Sequence, residues 1–169
     1  NLYSAIQKKT DMIIEFLKAN GFTETDISIA TPAIVDRQAE GTLDAERIQF
    51  RYSADSSISV YSSRVDAVRT TMRKIVELGK QGIVISAQDY ENRTQFLYTN
   101  LNDIKPAMIE EATKNARGVA EKFAKDSNSR LGKIKTASQG QFSIEDRDSN
   151  TPHIKKVRVV STVEYYLSD

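Results

Sequence analysis

Apolar positions recur along this chain at two periods, and the switches between them mark out its elements. Leu2, Ile6, Ile13, Phe16 and Leu17 fall near one face at helical spacing, which predicts a helix from about Leu2 to Asn20. Gly21 follows, free to take the left-handed conformation that ends helices, and Phe22 can fold back onto Phe16 or Leu17. Ile27, Ile29, Ala33 and Val35 share one parity and predict a strand from Ile27 to Val35. Pro32 cannot donate to a ladder, so it puts that strand at an edge or on a bulge. Asp36 to Glu46 is polar, contains Gly41 and reads as a surface loop.

The strongest pattern follows. Ile48, Phe50, Tyr52, Ala54, Ile58 and Val60 are even-numbered, and Arg47, Gln49, Arg51, Ser53, Asp55, Ser57 and Ser59 are odd. This alternation predicts a long antiparallel strand with its even residues toward the core and its odd residues toward water. Unbent it would span about 46 Å, so a bend is expected near Ser56, where the alternation lapses. Ser63-Arg64-Val65-Asp66 has the Ser-x-x-acid form of a helix start. Val65, Val68, Met72, Ile75 and Val76 supply that helix's buried stripe, and Gly79 and Gly82 close it. Short strands are expected at Ile83–Ile85 and around Thr94, Phe96 and Tyr98.

A third helix starts near Pro106 and runs to about Ser127, with Met108, Ala112, Ala116, Val119, Ala120, Phe123 and Ala124 on its apolar face. The alanines leave little bulk, so this helix can sit close to a sheet, and Asn128 can supply a left-handed exit. Two strands finish the chain. Ile134, Thr136, Phe142 and Ile144 share one parity, and Val157, Val159, Val163, Tyr165 and Leu167 share another. The polar turn from Glu145 to Pro152 joins them. The order is helix-strand-strand, three times over. It predicts an α+β fold with three helices and mostly antiparallel sheets, in a single domain spanning residues 1–169.

Composition narrows the chemistry. The 169 residues include 24 Lys+Arg and 23 Asp+Glu, for a net charge of +1, which argues against nucleic acid as a partner. There is no Cys, so no thiol nucleophile and no Cys-based metal site, and the one His leaves one candidate imidazole base. The longest apolar runs, such as Met12-Ile13-Ile14, fall far short of the ~20 residues of a membrane span. His153 follows Thr151-Pro152 in a polar turn without a nucleophile context, and reads as a turn histidine. Asp146, Asp148 and Asn150 copy the first three oxygen ligands of a calcium loop. Thr151 and Val157 then stand where that loop needs Gly and Glu, so a hairpin turn is the better reading. Lys133, Lys135, Lys156 and Arg158 would form a small basic strip if the last two strands pair, read as a solvated sheet face. The acid pairs Glu110-Glu111, Glu145-Asp146 and Asp44/Glu46 need no catalytic role, the first being placed in the opening turns of the third helix. No catalytic residue, cofactor site or metal site is assigned.

Ala112-Thr-Lys-Asn115-Ala116-Arg117, Ala120-Glu121, Ala124 and Leu131-Gly132-Lys-Ile134 together resemble the C-terminal signature of the SIMPL-domain family. The final strand from Val157 to Leu167 looks like that family's closing strand. Asn20-Gly21-Phe22, Phe50-Arg-Tyr52-Ser-Ala54, Val65-Asp66 and Gly82-Ile83 also fall in its order. Two departures stand out. The family pattern opens with a strand before the first helix, so the chain is expected to lack an N-terminal strand and an export or anchor segment. Ser127-Asn128-Ser129 stands where the family carries a Gly.

The resemblance implies a bacterial protein of the periplasm or cell envelope, linked to oxidative-stress tolerance and without a catalytic motif. The expected function is therefore a non-enzymatic envelope protein that acts by self-assembly or by binding another protein. Its full-length form would be membrane-anchored or exported, and its partner a second copy of itself or another protein. The alternative is an enzyme or small-molecule-binding protein with an unrecognised pocket, which a deep apolar cleft with converging polar groups would favour. Pairing with other copies is expected through a sheet edge or the exposed strand face, with the Val157–Leu167 strand a better edge template than the one holding Pro32.

Overall fold

The computed structural model describes residues 2–39, 50–86 and 93–169 and divides the chain into two units, Asn1–Arg93 and Thr94–Asp169. The first unit holds α1 (Leu2–Ala19), β1 (Ile27–Ile29), β2 (Ala33–Asp36), β3 (Tyr52–Asp55), β4 (Ile58–Val60), α2 (Val65–Lys74) and α3 (Val76–Lys80). The second holds α4 (Leu101–Asp126), β5 (Arg130–Gln139), β6 (Ser143–Asp146), β7 (Lys155–Arg158) and β8 (Ser161–Ser168). All strand pairing is antiparallel, as the alternating patterns require, and the class is α+β.

Three helix ends share one device. After α1, Gly21 adopts φ 91°, its N–H bonds the Lys18 carbonyl, and the Phe22 N–H reaches back to Leu17. After α3, Gly82 adopts φ 78°, with Gly82 to Gly79 and Ile83 to Leu78 repeating the pattern. After α4, Asn128 does the same at φ 55°, with Asn128 to Lys125 and Ser129 to Ala124. Each exit satisfies the last carbonyls of its helix and turns the chain sharply back. The buried apolar residues gather there: Leu17, Phe22, Leu78 and Ile83 in the first unit, Ala124 in the second.

Each unit follows its first helix with a two-stranded ribbon bent in the middle. β1 pairs with β4 and β2 with β3, so both legs of the first ribbon break together, at residues 30–32 and 56–57. Pro32 and Ser56 lie at this break. Two bonds hold it: Ala30 N–H to the Ser57 carbonyl at 2.9 Å, and the Ser56 hydroxyl to the Ala30 carbonyl at 3.1 Å. In the second unit β5 pairs with β8 and β6 with β7, with breaks at residues 140–142 and 159–160. There the Gly140 N–H donates to the Val160 carbonyl at 2.8 Å.

Several expectations change. Of the long alternating strand, Arg47, Ile48 and Gln49 lie outside the described residues, as do Gly41, Asp44 and Glu46 of the preceding loop. In β4 and the bend, even residues 56, 58 and 60 are half-buried and odd 57 and 59 exposed, as the parity requires. Phe50 and Tyr52 are instead exposed, and Ser53 and Ala54 are both half-buried, so the parity does not carry through β3. The second helix is divided at Ile75, and most of its expected buried stripe faces out: Val65, Met72, Ile75 and Val76 are exposed and Val68 is half-buried, while Thr71 and Leu78 are buried. Ser63 is not its cap; Arg64 holds that position without a side-chain bond to the helix. No strand forms at 83–86 or 93–100, so the second helix is not followed by a strand pair among the described residues. α4 begins at Leu101 rather than near Pro106, so the proline sits within it and forgoes one backbone bond. Glu110 and Glu111 are therefore well inside the helix, and Asp103 is the acid of its first turn. Along α4 the half-buried line is Leu101, Ile104, Met108, Ala112, Ala116 and Ala120, ending in buried Ala124; Val119 and Phe123 are 52% and 70% exposed.

Candidate functional site

The second ribbon carries most of the residues singled out by sequence. At its tip, Arg147 N–H donates to the Ile154 carbonyl and closes the turn between β6 and β7. Asp148 organises that turn. Its carboxylate accepts from the Thr151 hydroxyl at 2.5 Å, Arg147 Nε at 3.0 Å and the backbone N–H groups of Asn150 (2.9 Å) and Thr151 (2.8 Å). These bonds, the Thr151 hydroxyl first, draw its carboxyl down from the ordinary 3.8 to about 2. Asp146 pairs with Lys155 across the ribbon. The Asp146–Asp148–Asn150 series is thus a hairpin turn whose acids are engaged by neighbours, and no group of three His, Cys, Asp or Glu able to hold a metal occurs among the described residues. His153 is half-buried, its ring edge-on to Phe96 with centroids 5.9 Å apart, so it packs rather than points to solvent.

The four basic residues do not share one strand pair. Lys133 and Lys135 are on β5, which pairs with β8; Lys156 and Arg158 are on β7, which pairs with β6. Acids interrupt the strip: Lys156 stands opposite Glu145, and Lys135 Nζ lies 4.0 Å from Glu164. A mixed-charge face of this kind gives no continuous track for phosphates. Glu110 of the helical acid pair is bound by Lys114 at 2.5 Å.

Gly132 brings the two long strands together. A side chain there would meet the Tyr166 carbonyl oxygen at 2.9 Å and Tyr166 Cβ at 3.2 Å. The Leu131-Gly132 pair thus marks a close approach, at the first of two register shifts between β5 and β8. Among the described residues each sheet has two strands, so every strand keeps one unpaired edge. β8 and the bend before it also expose Val160, Tyr166 and Leu167.

In the first unit, sequence reading passed over Arg64. Its guanidinium donates to the Gly21 carbonyl at 2.5 Å, lies 3.7 Å from Asp26 and covers the Phe22 ring at 5.3 Å. Only its place just before α2 and the proximity of a bare helix exit explain it; no spacing signal announces it. Arg51 clasps Asp36 through Nε at 3.1 Å and a terminal nitrogen at 2.9 Å, holding the Asp36 carboxyl below its usual range. An open cleft between the start of α1 and the first bend is lined by Tyr3, Gln7, Lys8, Asp11, Thr31 and Pro32. None of these side chains is buried, so the cleft is not a deep apolar pocket.

The profile of the SIMPL family, described as "Protein of unknown function (DUF541)", matches residues 1–165. A comparison with curated proteins finds no match.

Proposed function

Starting from this chain's membership of the SIMPL family, we propose that it is a non-enzymatic cell-envelope protein that works by self-assembly or by binding another protein, in the service of stress tolerance. The observation that carries the reading is the second ribbon. Among the described residues its strands have unpaired outer edges, and β8 exposes Tyr166 and Leu167, 58% and 56% accessible. Unpaired edges beside apolar side chains are templates for another strand. The site chemistry supports the non-enzymatic part, since the turn acids and the lone histidine are taken up in structural contacts. Family resemblance supports the envelope and stress-tolerance parts.

Two measurements test it. Light scattering across a concentration series should show a species larger than the 19.0 kDa chain. Fractionation of cells making the natural protein should recover it with the envelope, and loss of the protein should sensitise cells to peroxide. A strict monomer at high micromolar concentration removes self-assembly and leaves partner binding. Recovery in the cytosol removes the envelope role.

A further inference from the structure

The outer edge of β7 and β8 carries a self-complementary pattern. From Lys155 to Tyr166 its residues alternate without a lapse, odd positions half-buried and even positions exposed, straight through the bend at 159–160. Charge is also ordered along it: Lys155, Lys156 and Arg158 come first, Glu164 and Asp169 last. Antiparallel pairing of this stretch with itself about Ser161 keeps every residue opposite one of the same parity. Arg158 then meets the second copy's Glu164, and Val159 meets the second copy's Val163. Opposite charges directly across an antiparallel pair are stabilising and like charges destabilising. The parallel alignment would set base against base. Ser161, at the centre of the pattern, has a buried hydroxyl with no hydrogen-bond partner among the described residues. The β5–β6 edge is the poorer template: β5 has two register shifts, and a glycine stands at 132 and again at 140.

We infer that two copies of this chain join as a two-fold dimer through the β7–β8 edge, with Arg158 of each opposite Glu164 of the other. This rests on the self-assembly reading above and names its contact. A closed two-fold pair uses the same patch on both copies, so a charge swap has a distinctive signature.

The test is sedimentation of the purified protein and of Arg158→Glu and Glu164→Lys, alone and mixed. Each variant alone sets like charges together twice and should raise the dimer Kd about tenfold or more. An equal mixture remakes both pairs and should yield a heterodimer of wild-type affinity. Both side chains are exposed, and the 4.0 Å contact of Glu164 with Lys135 is too long to hold the ribbon. Circular dichroism checks the fold. Should a single variant unfold, the double swap on one chain takes its place and must dimerise as the wild type does. A monomeric wild type overturns both this contact and self-assembly. An oligomer that ignores the single variants, or single variants that do not recover on mixing, overturns this contact and leaves self-assembly standing.

Discussion

At Gly132 the fold depends on a missing side chain. The added Cβ of an alanine would lie 2.9 Å from the Tyr166 carbonyl oxygen, closer than such atoms approach, and that oxygen belongs to the backbone of β8. Relief needs the two strands to part at a register shift. Gly132→Ala should therefore cost about 1–3 kcal/mol, read as a lower denaturation midpoint with unchanged slope; stability equal to wild type would show that the strands can yield. Asp148 works by charge instead. Because its folded carboxyl titrates at about 2 rather than the ordinary 3.8, the turn favours the carboxylate. Its contribution is fully present above about pH 4 and is lost as the pH falls through 2. Asp148→Asn should melt below wild type at pH 6, and that gap should close between pH 4 and pH 2. A gap that stays constant with pH would assign the effect to turn shape rather than ionisation.

Among the elements, Arg64 links the end of α1 to the start of α2. Its guanidinium bonds the Gly21 carbonyl while covering the Phe22 ring, and both positions belong to the left-handed exit of α1. Arg64→Ala should cost about 1–2 kcal/mol, and Arg64→Lys should recover little of it, since an ammonium lacks the planar face that lies on Phe22. Full recovery by lysine would reduce the contact to a point charge. The helix exits themselves were legible, because Gly21, Gly82 and Asn128 are residues that tolerate positive φ at low cost. The first bend was legible too, since Pro32 withholds a donor and Ser56 breaks the alternation. The face of α2 was not. Periodicity shows that Val65, Met72 and Val76 lie together, but not which side the neighbours cover, and Thr71 and Leu78 took the buried side. Three-residue patterns at Ile83–Ile85 and Thr94–Tyr98 failed as strands because parity names no pairing partner. The hairpin that pairs the last two strands was readable from its polar turn, but not that Lys133 and Lys135 would fall on β5 beside β8 while Lys156 and Arg158 fall on β7 beside β6, which divides the basic strip.

For the whole molecule, charge pattern matters more than charge total. With 24 bases against 23 acids, net repulsion between copies is small and does not hold them apart. What selects a partner is then the arrangement along an edge. The β7–β8 stretch offers both an apolar row, with Val157, Val159 and Val163, and a charged row, with Arg158 and Glu164. These two rows respond oppositely to salt. Screening shortens the reach of charge from about 30 Å at 0.01 M to about 3 Å at 1 M, while salting-out ions strengthen apolar contact. If the charged row sets the register, association should weaken several-fold as sodium chloride rises across that range, and Arg158→Glu should reverse the slope by turning attraction into screened repulsion. Sedimentation at several salt concentrations checks both. Association that tightens with salt in the wild type and in Arg158→Glu alike would assign the contact to the apolar row, and the charge order along the strand would then have no part in choosing the partner.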